Sequence, residues 1–442
     1  MRVALPIALQ SLIGSSLSLV DNLMVGSLGE TELAAVGVGI QPFFIFWMVM
    51  FGFSSGSATF MAQFWGAEDV ANIKKVLGFA ITAGFCVGAV FFVCAMCFPG
   101  YIVNIFTDID GIKPLATEYI RVGSFCFLFL SVTVPFTFCL RSTQQTRLPL
   151  YASAFAFCMN TFLNYVLIFG NFGAPRLGVT GAALATVISR ALEMLLVLFV
   201  VFYKKNVISG KAKEYFGWTK AFVARVLNNA VPVSLNETMW GLGTAMYTAA
   251  FARVGITEYA AIQAGRVIDN LFIMAAYSIG DAALILAGQR LGAGEFDHAW
   301  QLVKKLLKIG FFIGIVFGIA LVVVAKPIIG FFNFTPEGET YTFYILIVYA
   351  TTMCVVLLNG INVVGVLRAG GDTKFAMVCD VSCVWFIGVP LAFLSTKWLR
   401  LPIHFVLLLV KMEEAVKFFI LMHRVLSKKW VKNVIRGLGS GN

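Results

Sequence analysis

Four acidic residues, Asp21, Glu237, Asp281 and Asp380, lie in long apolar stretches with no Lys or Arg three or four positions away. A carboxylate held in hydrocarbon costs about 2.5 to 3.5 kcal/mol on insertion scales, so such a residue faces a protein interior or a water-filled path. Binding and releasing a proton or a hard monovalent cation is the chemistry open to a lone carboxyl in that setting. Four other acids have a base at helical spacing, Arg190 with Glu193, Arg266 with Asp269, Lys411 with Glu414 and Glu413 with Lys417. These can neutralise locally, and the spacing predicts structural ion pairs.

The elements that must position these groups are membrane spans. Of 442 residues 60% are hydrophobic and only 12% charged, and the mean hydropathy is +0.89, outside the balance of a soluble domain. Twelve segments of about 20 residues or more can be marked off: Val3 to Val25, Leu33 to Phe64, Val76 to Phe98, Tyr119 to Leu140, Leu150 to Gly170, Val179 to Tyr203, Asn229 to Phe251, Tyr259 to Leu286, Leu306 to Ala325, Thr342 to Val366, Phe375 to Leu394 and Pro402 to Met422. No cleavable signal precedes the first, which reads as a mature span. The net charge of +11 does not point to nucleic acid, because about 22 Lys and Arg fall in alternate loops and tails and about 6 in the others, as the positive-inside rule describes. Both termini are therefore expected in the cytoplasm, and the basic residues meet lipid headgroups. Nine cysteines within apolar spans read as small buried hydrophobes, and Cys94 and Cys97 lack the context of a redox motif.

The halves repeat. A shift of 226 takes Pro6, Gly29, Thr31, Glu32, Ala34, Ala35 and Gly39 onto Pro232, Gly255, Thr257, Glu258, Ala260, Ala261 and Gly265, and takes Gln63, Gly66 and Ala67 onto Gln289, Gly292 and Ala293. A shift of 227 takes Leu140, Arg141, Thr146 and Arg147 onto Leu367, Arg368, Thr373 and Lys374. Six spans separate the copies, so both have one orientation and a pseudo-twofold axis along the membrane normal. The expected fold is an all-α polytopic membrane protein with twelve transmembrane helices in two pseudo-symmetric six-helix lobes and a cavity between them. The lobes are 1–203 and 229–426, joined by a basic cytoplasmic linker, 204–228, and followed by a basic cytoplasmic tail, 427–442.

Within the first lobe the polar residues have matching depths. At about 1.5 Å per residue Thr186 stands about 10 Å from the outer face, and Asn160 and Asn164 about 15 and 21 Å from the inner one. The two Asn are four apart and share a helix face. They could converge with Asp21 and the Thr186 hydroxyl as a site for a proton or Na+, or simply tie helices together.

The chain resembles the multidrug and toxic compound extrusion (MATE) family, of bacterial type, over essentially its whole length. The residues that carry the resemblance are Pro6 and Asp21 of the first helix, the paired Gln-x-x-Gly-Ala loops at Gln63 and Gln289, and the paired loops LRSTQQTRLP and LRAGGDTKFA from Leu140 and Leu367. The resemblance implies a secondary antiporter of the inner membrane that exports lipophilic, often cationic, drugs in exchange for protons or Na+ by alternating access. It makes Asp21 the coupling acid, with Asn160 and Thr186 as accompanying ligands. Asn164 stands where some members have Asp, a departure that weakens the case for Na+. Glu237, in PVSLNETMWGLG, resembles the seventh-helix Glu of other branches, while Asn359 and Asn362 of the tenth helix bring no acid. Glu237, Asp281 and Asp380 are candidate coupling or substrate-binding acids of the second lobe, and Pro6 and Pro232 candidate points of helix bending. No cofactor and no obligate protein partner is implied.

Rival classes lack their chemistry. There is no paired-aspartate diphosphate motif and no HExxH, and His298, His404 and His423 lie apart. A flippase for a lipid-linked precursor is the alternative within the same superfamily. It would want a basic cavity, and Arg121 and Arg266 are the only unambiguous mid-span arginines, Arg266 having Asp269 beside it.

Overall fold

Twelve long helices follow one another in the computed structural model, which describes residues 3–330 and 335–438. They are α1 (Ala4–Gly26), α2 (Glu30–Gly66, interrupted at Ile40), α3 (Val70–Cys97), α4 (Phe125–Ser142), α5 (Arg147–Phe169), α6 (Gly178–Tyr203), α7 (Lys220–Phe251), α8 (Ile256–Gly292), α9 (Phe296–Pro327), α10 (Pro336–Leu367), α11 (Thr373–Trp398) and α12 (Ile403–Leu426). No strand occurs among the described residues. Ten of the twelve are long and apolar enough to cross a membrane. The other two are long enough but more polar, α7 through Asn228, Asn229, Asn236 and Glu237, and α12 through Lys411, Glu413, Glu414 and Lys417. The fourth span is preceded by a separate helix, Lys113–Gly123, which carries Tyr119.

The chain divides into two compact units, one of residues 1–61, 68–227 and 438–442, the other of 62–67 and 228–437. In the first, the segment after α6 is folded rather than free. Its short helix Ala212–Tyr215 lies on the start of α3, where Lys74 pairs with Glu214 at 2.6 Å and Trp218 Nε1 donates to the Lys75 carbonyl at 3.0 Å. In the second unit the chain after α12 is likewise bound. Trp430 is fully buried with its indole N–H on the Val425 carbonyl, and Arg424 holds Asp372 through two bonds of 2.6 and 3.0 Å. Residues 439–442 of the expected tail lie outside the described residues.

The repeated Gln-x-x-Gly-Ala sequence has a physical reason here. Gln63 is buried, and its side chain donates to the carbonyls of Ala369 and Lys432 and accepts from the Val434 N–H. A side chain at Gly66 would strike the Gln289 backbone, and one at Gly292 would strike the Gln63 backbone. Two backbones thus meet through reciprocal glycines, a contact that only the absence of Cβ permits. Gly292→Ala is therefore expected to lower stability by about 1–3 kcal/mol, the usual cost of overpacking. The midpoint of thermal unfolding in detergent measures it, and a wild-type midpoint would show that the two backbones can part freely.

Pro6 stands in the first turn of α1, where a missing N–H costs no helical bond. Pro232 lies inside α7 and removes a bond from its interior. Helix bending therefore has a local cause at Pro232, whereas α1 runs unbroken past Pro6. Three π-helical segments, Ile361–Leu367, Val384–Gly388 and Leu394–Trp398, widen α10 and α11. Such segments release backbone carbonyls and often accompany function.

Candidate functional site

α1 and α5 run side by side in one register. Gln10 Nε2 donates to Ser153 Oγ at 3.0 Å, and eleven residues on in each helix Asn164 Nδ2 donates to Asp21 Oδ1. The constant offset means two parallel helices tied at two levels, about 16 Å apart along the axis.

The upper tie is the start of a polar cluster. Asn164 Nδ2 also faces Asn160 Oδ1 at 3.1 Å, and Asn160 Nδ2 reaches Thr186 Oγ1 at 3.3 Å and Ser189 Oγ at 3.5 Å on α6. Asn160 and Asn164 are completely buried. Asp21, Asn160, Asn164 and Thr186 are thus brought together, as their depths predict. The carboxylate meets an N–H donor, and the Asn160 oxygen is already occupied by Asn164. Arg190, one turn along α6 from Thr186, is close enough to act electrostatically on Asp21.

The lower tie belongs to a second network that spacing alone did not reveal. Arg141 Nη2 donates to Gln10 Oε1 at 2.7 Å, Ser153 Oγ donates to Glu193 Oε1 at 2.8 Å, and Arg190 pairs with Glu193 Oε2 at 2.7 Å, the pair expected from the sequence. A signal existed in the repeats, since Arg141 belongs to the loop motif shared with Arg368.

In the second unit, pairing follows different lines from those expected. Glu237 is bonded to Arg368, which is almost wholly buried, and Asp380 Oδ1 meets Lys417 Nζ at 2.7 Å. Both acids therefore have a cation from elsewhere in the chain, Arg368 directly after α10 and Lys417 of α12, which spacing along one helix cannot show. Lys417 pairs with Glu414 at 3.2 Å instead of with Glu413, whose carboxylate accepts from Tyr247 Oη at 2.7 Å. Lys411 turns to the Tyr349 ring, 5.2 Å from its centroid, and Arg266 Nη1 donates to Thr248 Oγ1 at 2.7 Å. Among the described residues neither Lys411–Glu414 nor Arg266–Asp269 forms an ion pair. Glu237 lies within electrostatic reach of Asp380 and Asp281, so the three candidate acids share one neighbourhood. Asn359 Nδ2 donates to Glu414 Oε2 at 2.7 Å, while Asn362 is fully buried with neither side-chain polar atom bonded among the described residues.

The units place a cation at the same repeat position, since the shift of 227 takes Arg190 onto Lys417, and a different acid beside it. Arg190 and Glu193, spaced i, i+3 on α6, meet Ser153 of α5; Glu414 and Lys417, spaced i, i+3 on α12, meet Asp380 of α11. Ser153 and Asp380 are related by the repeat shift of 227. At the other end Asp21 and Tyr247, related by 226, stand at the same register of α1 and α7. A Cβ at Gly388 would come within 2.6 Å of Glu413 Oε2 and would strike Tyr247 Oη, so the glycine that ends the π-helical turn is what leaves room for this pair. No group of three or more His, Cys, Asp or Glu side chains that could hold a metal ion is found among the described residues.

Comparison with known proteins adds family context. The family model MatE matches residues 6–166 and again 232–394, two matches whose starts are 226 residues apart. The chain is 27% identical over 401 residues to the probable multidrug resistance protein YoeA of Bacillus subtilis, covering 90% of this chain and 86% of that one. It is 24% identical to the probable multidrug resistance protein NorM of Thermotoga maritima, again over 90% and 86%. A solved structure of a MOP superfamily transporter from Pyrococcus furiosus, described as having a binding pocket of reversed polarity that suggests a different function, superposes with a TM-score of 0.87. It has 17% identity and covers 97% of this chain and 95% of its own. At that identity the likeness speaks for the fold alone.

Proposed function

Since the chain belongs to the MatE family of transporters, we propose that it is a secondary active antiporter that exports lipophilic, often cationic, organic compounds in exchange for protons by alternating access. It is a multi-pass membrane protein and a transporter, not an enzyme. Relatives named for multidrug resistance support the substrate class. The observation that carries the coupling is the Asp21 carboxylate bound to a buried amide on a neighbouring helix.

Charge-assisted bonds are roughly twice as strong as neutral ones. Ionised Asp21 holds Asn164 firmly and ties the outer part of α1 to α5. A proton taken from outside removes the charge, weakens that tie and leaves the Gln10–Ser153 bond as the stronger polar tie of α1 to α5. α1 can then move about its inner end. The shift in population is limited by the difference in proton affinity of the two conformations. Protons are favoured over Na+ because Asp21 faces an N–H, the Asn160 oxygen is engaged, and Arg190 is near. A hard cation would need those oxygens free.

Ethidium efflux from everted vesicles tests this reading. Efflux is expected under an imposed proton gradient and not under a Na+ gradient. Efflux that follows Na+ alone would overturn the choice of ion, and none under either gradient would overturn the substrate class.

A further inference from the structure

The second unit holds a basic cleft of about 610 Å³ where the α7–α8 and α11–α12 connections meet. That volume is in the range of small-molecule sites. Arg253, Lys397 and Arg400 line it with Glu258, Tyr341 and Thr396. These connections lie on the side opposite the termini, the outer side, where the positive-inside rule keeps basic residues scarce. The outer connections contain only Lys113, Arg176, Arg253, Lys326, Lys397 and Arg400, and half of that set converges on this one cleft.

The twin unit shows that the fold does not require these cations. The shift of 227 takes Pro175 onto Pro402, Gly173 onto Arg400 and Gly170 onto Lys397, and the shift of 226 takes Ser27 onto Arg253. Gly173 has φ +80°, and Arg400 keeps the left-handed backbone at φ +48°. A non-glycine residue in that region is strained, and such strain gathers at ligand clamps. The second unit thus carries a guanidinium where the turn itself favours glycine.

The cations are also held in place. The Arg253 guanidinium lies 5.1 Å from the centroid of the Phe393 ring, and the Leu401 N–H donates to the Ser395 carbonyl at 3.1 Å, fixing the turn that carries Arg400. The one acid in the cleft, Glu258, is folded back beside Gly255 in the first turn of α8, where the helix end offers its own positive field. Three cations therefore line the cleft against one lining acid, with Glu337 at its edge bonded to Tyr341 Oη at 3.0 Å, so the cleft keeps a positive excess. Next to them Trp398 and Leu399 are largely exposed, 76% and 55%. An exposed Trp beside basic residues is the pattern of a membrane–water interface.

We propose that this cleft binds a phosphate-bearing anion, the headgroup of an anionic phospholipid in the outer leaflet. Two arginines suit a phosphate because each can donate in parallel to two of its oxygens. Trp398 and Leu399 would lie against the acyl region below. The inference is independent of the coupling mechanism, since none of these residues takes part in it.

Purified full-length protein, stripped of lipid in detergent, would be offered phosphatidylglycerol and phosphatidylcholine together, and retained lipid counted by native mass spectrometry. Wild type is expected to prefer phosphatidylglycerol about tenfold, which corresponds to about 1.4 kcal/mol. The Arg253→Gln, Lys397→Gln, Arg400→Gly triple variant is expected to lose the preference, and Arg176→Gln with Lys326→Gln to keep it. Arg400→Gly alone relaxes the turn, so its partial loss of preference with an undiminished thermal midpoint separates binding from unfolding. Inorganic phosphate raising the thermal midpoint of wild type but not of the triple variant, without any lipid preference, would replace the lipid by a soluble phosphate compound. Equal lipid retention by wild type and the triple variant, with no effect of phosphate, overturns the proposal.

Discussion

Exchanging Lys417 for Met is expected to destabilise the protein by about 3–5 kcal/mol, the cost of removing one member of a buried ion-pair network. Lys417 is buried on α12 and bonds both Asp380 at 2.7 Å and Glu414 at 3.2 Å, with Glu413 one turn away on the same helix. One ammonium serves three carboxyls. Without it the acids repel one another in a low-dielectric setting, and Asp380 and Glu414 each lose a charged donor. Met retains most of the volume, so the loss is electrostatic rather than a cavity. The midpoint of thermal unfolding, followed by size exclusion in detergent, gives the change. Adding Asp380→Asn to the variant is expected to recover part of it, because one unpaired charge goes with it. Coupling of this kind is measured by the double-mutant cycle. A Lys417→Met protein as stable as wild type would show that the three acids are neutral without Lys417 and would overturn the ion-pair network.

What was legible in the sequence was whatever repeats or obeys helical spacing. The twelve apolar runs, the shift between halves and the convergence of Asp21 with Asn160, Asn164 and Thr186 follow from period and depth, and the described helices bring those residues together. Glu237 and Asp380 show the limit. A search for bases along one helix finds none, yet Arg368 and Lys417 come from more than thirty residues away in sequence. Glu413 shows the converse, since a base four residues on was available and Tyr247 of α7 is bonded instead. Lateral packing decides both cases, and spacing carries no information about it.

The π-helical turns were equally out of reach. Nothing in VWFIG, residues 384–388, distinguishes it from ordinary apolar helix, but Gly388 must lack a side chain for Tyr247 and Glu413 to meet. Glycine signals close approach without saying to what. Likewise the Gln-x-x-Gly-Ala repeat was visible as a motif, while its partners, the opposite glycine's helix and the chain after α12, were not.

Asp21→Asn is expected to cut gradient-driven efflux by about 5- to 150-fold, the span of typical coupling energies, while leaving fold and ethidium binding nearly intact. The substitution is isosteric, and the Asn oxygen can still accept from Asn164, so the polar cluster of α1, α5 and α6 keeps its hydrogen bonds. What disappears is the ability to change charge. A side chain that is always neutral gives the proton nothing to bind, and the gradient then exerts no bias on the two conformations. Ethidium binding should survive because the variant is fixed in the neutral condition rather than unfolded. Parallel measurement of proton-driven efflux and equilibrium ethidium binding distinguishes this from a damaged protein, in which both would fall. Asn164→Ala provides the complementary case. It leaves a titratable Asp21 without its amide donor, so efflux should persist with an altered dependence on external pH. Wild-type efflux in Asp21→Asn would remove Asp21 from the coupling step and turn attention to Glu237, Asp281 and Asp380 in the second unit.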